Sequence, residues 1–547
     1  MHRLLRLPFR KCRNSVGNLQ ASMSNYSTPD WDADDSLFTF TRGRFVYDEE
    51  HQMAQRRVRF SMKELARAAA SSIGADRCVH VQKCPDGLYN KAYIFRMDDG
   101  REVIGKVPNP NAGLPHYSTA SEVATMDYMR SVLSTPAPKV LAWNSRTEAD
   151  HVGSEYIIME KAEGVPLSRV WARLGHQDRF KLLLQVFQFM KAWAETPLPG
   201  DLAVPVVGTD HDANGHRFVI GPAVGRDWCD AGRKELDCDR GPWLFALGCR
   251  RAVGAREQAA VQHLPANPKQ WVMLTGPGLY QPSPRNKLWA LDAYLQVLEH
   301  VLPTCSDSDF PDLLRPRLWH DDLHGENIFV NPASPTQITA IIDWQSTQAV
   351  PLFDHSMDPA FFDYDGPDIG DNLEKPGPID TAGLSPDEKA AAITQHLDRA
   401  IMIAWRLLAR GKSPAQYQTT KLQDTTAGHI LRVARRAYEV GETHLAALML
   451  DLRDEWPPGS EFPIVISTEE EARIKRDVDG ADLGASLITQ VKSQMGEQWP
   501  EKGLAEHEAY DETKGLLTYV RDEIASQCWE GNEATQREFK KGWPFDS

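Results

Sequence analysis

Leu318-Trp319-His320-Asp321-Asp322-Leu323-His324-Gly325-Glu326-Asn327-Ile328-Phe329-Val330 decides the reading of this chain. A polar run lies between two apolar runs. It holds three carboxylates, two histidines and an asparagine within eight residues. Burying such a set is costly unless partners or a ligand satisfy it. Thirteen residues after Asn327 begins Ala340-Ile341-Ile342-Asp343-Trp344, where an apolar strand ends in a single carboxylate.

Phosphoryl transfer requires a base beside the attacking hydroxyl and oxygen ligands for magnesium next to the phosphates. An Asp, an Asn five residues later and an Asp at the end of the next strand can supply all three. With strands expected at 327–330 and 339–342, Asp322 sits in the loop, Asn327 begins the outgoing strand and Asp343 ends the returning one. All three side chains then face one cleft.

His320-x-Asp322-x-x-x-x-Asn327, followed by Ile342-Asp343-Trp344, resembles the catalytic loop and metal-binding segment of the aminoglycoside phosphotransferase family. That family shares the protein-kinase-like fold. The resemblance implies an α+β fold of two lobes, a small antiparallel β N-lobe and a larger, mainly helical C-lobe. It implies Asp322 as catalytic base, with His320 beside it, and Asn327 and Asp343 as magnesium ligands. ATP would be the donor and a small-molecule hydroxyl the acceptor.

Upstream, Gly87-Leu88-Tyr89-Asn90-Lys91, the segment Asp98 to Pro108, and Ser121-Glu122-Val123-Ala124-Thr125-Met126 resemble the N-lobe of the fungal "altered inheritance of mitochondria" subgroup. By that resemblance Lys106 contacts nucleotide phosphates and Glu122 holds it. Gly87, Tyr89 and Asn90 belong to the turn over the phosphates. Glu155 to Glu160 resembles the strand and hinge against which adenine packs, with Glu160 at its end. The resemblance covers about residues 75–450. The chain departs from the pattern in lacking Gly-x-Gly-x-x-Gly, in carrying Gly325-Glu326 where Pro-Gly is frequent, and in placing Gln345 where an acid often follows the tryptophan.

Several of these residues have plainer readings. Glu122 is also the fourth residue of a capping box, Thr119-x-x-Glu122. His320 suits a purely orienting role through a backbone hydrogen bond. His320 and His324 are four apart as in a zinc helix, but the intervening residues do not fit HExxH and a loop is expected. The acidic series Asp354, Asp358, Asp363, Asp365, Asp368 and Asp371 could receive a cationic substrate, although a solvated loop is the simpler expectation. Trp289, Trp344 and Trp405 read as core.

Outward from the motif, β-type patterning predicts strands at 79–83, 89–97, 102–107, 139–143 and 155–159, with a helix at 119–132. After Glu160 the pattern turns helical: 179–193, a helix capped by Ser283-Pro284, one opened by Ser385-Pro386-x-Glu388, and others near 423–452, 468–478 and 510–526. Residues 208–282 look like a loop-dominated insertion. The organisation expected is a targeting segment at 1–29, an extension at 30–74, the N-lobe at 75–160, the C-lobe at 161–455 and a helical extension at 456–547.

The 547 residues carry 61 Lys plus Arg against 76 Asp plus Glu, a net charge of −15. Such an acidic chain is a poor general nucleic-acid binder. No apolar run reaches membrane-spanning length. Eight cysteines without a CxxC pair argue against zinc ribbons and disulfide frameworks and for a reducing compartment. Residues 1–29 hold Arg3, Arg6, Arg10, Lys11 and Arg13, several serines and no acid, the composition of a mitochondrial transit peptide. The functional expectation is an ATP- and Mg-dependent phosphotransferase acting on a small-molecule hydroxyl. The rival is a mitochondrial nucleotide-binding pseudoenzyme or assembly factor, and a third option moves AMP instead of phosphate. The acceptor and the oligomeric state are not legible.

Overall fold

Alternation builds the first lobe. In the strand Asn90–Met97, residues 91, 93, 95 and 97 are buried while their neighbours are exposed or half-buried. The computed structural model describes residues 30–545 except 149, 197, 199–217, 244, 266–271, 304–312, 363, 365, 367, 368, 370 and 371. The expected targeting segment 1–29 lies outside the described residues.

Five strands, β1 (Cys78–Lys83), β2 (Asn90–Met97), β3 (Glu102–Pro108), β4 (Val140–Asn144) and β5 (Tyr156–Glu160), form one antiparallel sheet in the order β1-β2-β3-β5-β4. Leu65, Ala66 and Ala69 of the helix Met62–Ser72 pack on its face with Tyr93, Phe95, Val103 and Ile158. Burying side chains of this size contributes ~1.5–3 kcal/mol each. The helix Tyr117–Ser131 lies on the other side, next to the second lobe's core.

The second lobe is mainly helical. Its core joins the helices His176–Glu195 and Pro386–Lys412 to a hairpin of β6 (Ile328–Asn331) and β7 (Ser334–Ile341). Trp193 stands edge-on to Trp319 and Trp344, with centroids 5.5 and 5.6 Å apart. Trp344 and Trp405 are buried as expected, and Trp289 is half-buried. Ser283 caps the helix Pro284–Val301, and Ser385 with Glu388 forms the predicted capping box of Pro386–Lys412.

Three expectations are corrected. The 208–282 region contains an 18-residue helix, Ala246–His263, packed on Pro284–Val301. Its inner face consists of small residues together with Arg250, Arg256 and Glu257, so no apolar stripe announced it. The helix expected over 423–452 is three pieces, Thr426–Ala434, Ala437–Val440 and Thr443–Asp454. It breaks at Gly441, whose φ of +97° no residue with a side chain adopts easily. The helix expected at 468–478 runs from Thr468 to Met495 behind a Ser467–Glu470 capping box.

The two extensions meet. The short strand Arg44–Phe45 pairs antiparallel with Leu504–Ala505, and Val46 N–H donates to Gly503 O at 2.9 Å. The Arg44 guanidinium lies 3.7 Å from the centre of the Tyr510 ring. Among the described residues, no helix is long and apolar enough to cross a membrane.

Candidate functional site

The hairpin sets the position of Asp343. Ile342 N–H donates to Asn327 O at 2.9 Å, and the His320 ring donates from Nε2 to Ile342 O at 2.8 Å. Trp344 on the other side is fully buried, its indole N–H bonded to Ile341 O at 2.9 Å. Held between these anchors, Asp343 takes a left-handed φ of +61°, a strained backbone for a residue with a Cβ. His320 thus has the orienting geometry, and the burial that pushes its imidazole pKa down favours the neutral ring.

The strained carboxylate reaches the first lobe. Lys106 Nζ donates to Asp343 Oδ1 at 2.7 Å and to Glu122 Oε1 at 2.6 Å. Lys106 and Glu122 are 8% and 5% exposed, so the charges face each other with little solvent between them. Burial alone would discharge the ammonium, but the two carboxylates outweigh it and hold the Lys106 pKa well above its usual value. Burial likewise works to raise the Asp343 carboxyl, and Lys106 more than reverses this, leaving it below the ordinary range. The capping-box reading of Glu122 fails. The helix begins at Tyr117 with no side-chain cap, and Glu122 is turned to Lys106.

Asp322 opens to the cleft with its side chain 73% exposed. A hydrogen bond from His324, 3.5 Å away, is the main cause holding its carboxyl below the usual range. Asn327 spends its amide N–H on Asp322 O at 3.0 Å and faces His324 Nε2 at 3.3 Å, which leaves Oδ1 as its outward acceptor. The loop is not helical, so His320 and His324 do not share a helix face as the zinc spacing would require.

The phosphate-turn residues separate. Tyr89 lines the cleft with the Arg226 guanidinium stacked 3.5 Å from its centre. Asn90 Nδ2 donates to Gln345 Oε1 at 3.0 Å, and Gln345 Nε2 donates to Ala112 O at 3.2 Å. Gln345, unexpected at its position, is therefore a tie between the lobes. Gly87 lies against Asn90, while Lys91 points inward to Asp86 at 3.1 Å, both fully buried. The Glu160 side chain is turned away from the cleft, accepting from Lys139 N–H at 3.0 Å and facing Arg130 at 3.4 Å. Glu326 accepts from Ser168 Oγ at 2.5 Å. Of the acidic series, Asp354 pairs with Arg250 and Asp358 with Arg406, so these two are interior anchors and not a solvated loop. Asp363, Asp365, Asp368 and Asp371 lie outside the described residues.

A cleft of about 720 Å³ opens at this floor, lined by His320, Asp321, Asp322 and Asp343. Its opposite wall was not foreseen. It comes from three regions far apart in sequence: Tyr47 and Arg56 from the first extension, Arg226 and Asp230 from the insertion, Trp499 and Lys502 from the last extension. No local pattern marks these residues, because the chain's two ends must pair before they share a surface.

Asn327 Oδ1 and the second Asp343 oxygen are the donor types magnesium prefers, and two protein oxygens suffice where phosphates and water complete the shell. The donor set fits that ion. What the floor offers chemically is the accessible Asp322 carboxylate and Asp343 at the cleft, with Lys106 bonded to Asp343 and Asn327 on the same loop as Asp322.

Residues 80–354 match the Phosphotransferase enzyme family. The chain is 32% identical over 352 residues to a subtelomeric hrmA-associated cluster protein of Aspergillus fumigatus, covering 55% of this chain and 66% of that relative. It is 24% identical over 331 residues to altered inheritance of mitochondria protein 9 of Eremothecium gossypii, covering 54% of this chain and 52% of the relative. The matches thus span just under two thirds of the first relative's length and about half of the second's. Among solved structures, aminoglycoside phosphotransferase APH(4)-Ia aligns with 66% of this chain and 97% of its own, at 15% identity and a TM-score of 0.31.

Proposed function

The chain belongs to the phosphotransferase enzyme family, and on that premise we propose that it moves the γ-phosphoryl group of ATP, with magnesium, to a hydroxyl of a small molecule. The observation that carries this is Lys106, buried between Glu122 and Asp343, with Asp322 open on the same floor. A kinase-like site needs that cation and that carboxylate in place together.

In the proposed reaction the acceptor hydroxyl oxygen bonds to Pγ as the bond from Pγ to the β,γ-bridging oxygen breaks. ADP leaves, and the hydroxyl proton passes to Asp322. Lys106 supplies a fixed positive charge beside the phosphates, and Glu122 holds it there. Asn327 and Asp343 would hold magnesium, which when bound neutralises phosphate charge. His320 positions Ile342 and through it Asp343. Most of the rate then comes from positioning and electrostatics.

Mitochondrial residence is part of the proposal, supported by the basic, acid-free first 29 residues and by the name of the Eremothecium relative. The test is mass-resolved phosphorylation of a metabolite pool with ATP and magnesium, with EDTA as control. Gain of one phosphate on a hydroxyl compound, lost with EDTA, is expected. Metal-dependent ATP binding without transfer to any acceptor would replace this reading with the pseudoenzyme. Gain of AMP would replace it with nucleotidyl transfer.

A further inference from the structure

The cleft's wall holds two cations to which no carboxylate is bonded among the described residues. Arg56 is 6% exposed yet lines the cleft. One of its terminal nitrogens donates to Gln52, to O at 2.7 Å and Oε1 at 2.8 Å, and its guanidinium lies 4.4 Å from the Phe45 ring centre. Its Nε has no hydrogen-bond partner, and no carboxylate pairs with it among the described residues. The nearby Asp230 is taken by Arg226. A buried guanidinium without a counter-ion is expensive, and burial pushes its pKa down.

Most other acids of this wall are engaged too, and the exposed Glu501 faces Lys492 at 3.9 Å. Asp227 sits between Arg256 at 3.1 Å and Arg435 at 3.2 Å, and Glu439 pairs with Arg233 and Arg436. Lys502, in contrast, is exposed in the cleft with no carboxylate partner among the described residues. Its backbone is left-handed, at φ +52°. Its charge reaches Asp322, whose carboxyl it helps to lower. Two cations without a bonded carboxylate, one of them buried, thus line the same cleft as Asp322.

We propose that the acceptor is a small hydroxylated anion, whose phosphate or carboxylate docks on Arg56 and Lys502 while its hydroxyl faces Asp322. The proposal rests on the phosphotransferase reading. It differs from the less favoured reading of the acidic series as a receiver of a cationic substrate, and Asp354 and Asp358 of that series are consumed by internal ion pairs.

The test uses the full chain with ATP and magnesium and four acceptor pools: polyol and sugar phosphates, hydroxy acids, neutral polyols, and aminoglycosides. Nucleotide binding is followed separately by calorimetry. Transfer is expected only within the anionic pools, and which of the two reacts identifies the docking group. Arg56→Gln and Lys502→Gln should each raise KM for that acceptor about tenfold or more, the usual consequence of losing a charge-assisted contact. The effect on kcat should be smaller, and Arg56→Lys should restore part of the affinity. Lys502 is exposed, so its variant keeps the test alive if loss of Arg56 unfolds the wall. Transfer to neutral or cationic acceptors, or a KM indifferent to Lys502→Gln, overturns the anionic acceptor. ATP binding with no transfer in any pool overturns it as well. Absence of metal-dependent ATP binding instead overturns the underlying phosphotransferase reading.

Discussion

The floor and the wall of the cleft are built in opposite ways. Asp322, Asn327 and Asp343 fall within a span of 22 residues, on one loop and one hairpin. Arg56 and Lys502 share the cleft through contacts between the two extensions, among them the pairing of Arg44–Phe45 with Leu504–Ala505. A local constellation keeps its spacing in the sequence, whereas a wall made from distant segments leaves none. The floor is therefore written more plainly in the sequence than the wall.

Four perturbations would sharpen or break this contrast. The largest effect belongs to the floor. Asp322→Asn should lower transfer, or slow ATP hydrolysis if no acceptor is yet known, by ~10²–10⁴-fold. Asp322 is exposed, so the melting temperature should stay within a few degrees. Retained turnover would remove it as the base. Next, Lys106→Ala strands Glu122 and Asp343 without their shared cation. Breaking a buried pair costs ~3–5 kcal/mol, so urea unfolding should shift by that order and ATP affinity should fall. An unchanged midpoint would mean that the bridge between the lobes carries no stability.

The third concerns the wall. Asp227 is buried between Arg256 and Arg435, and these cations, working against the burial that would raise it, hold its carboxyl far below the ordinary value near 3.8. A depressed folded-state pKa stabilises the fold above the unfolded value and ceases to do so as pH falls through the folded one. Asp227→Asn should therefore cost on the order of 3 kcal/mol at pH 7, and the difference from wild type should start to shrink below about pH 3.8. A pH-independent difference would show that packing, not charge, is what the variant lost. The smallest effect is expected from Gly43→Ala, whose Cβ would stand 2.2 Å from Ala505 O. Forcing that strand pair apart should cost ~1–3 kcal/mol. Acceptor-dependent transfer should suffer more than ATP binding, as the two calorimetric and kinetic readouts would show. Equal loss of both would mean that floor and wall are one unit.

How far the sequence could be read follows the same divide. The β-lobe strands, the Ser385 capping box and the β6–β7 hairpin were legible because alternation, caps and apolar runs are short-range signals. The helix Ala246–His263 escaped because it buries Arg250, Arg256 and Glu257 in paired form, which periodicity scores as polar. Glu122 fitted two short-range patterns at once, and only the approach of Lys106 decided between them. Glu160 stood at the expected strand end, but a strand end does not specify where its side chain turns, and it turns to Lys139. Gln345 looked like a missing acid, and its use as a tie to Asn90, 255 residues away, has no local trace.

The pairing of the chain's ends also has a history in time. Tyr510 contacts Phe45 across 465 residues of sequence. At ~5–20 residues per second of synthesis, that separation is ~25–90 s during which the first strand has been made and its partner has not. The β-lobe and the β6–β7 hairpin are complete well before residue 505 leaves the ribosome. A nascent chain therefore completes the floor of the cleft before its far wall. Any product arrested between those two points would lack the last extension's part of the wall and leave uncovered the Val46 side chain that the last segment packs against.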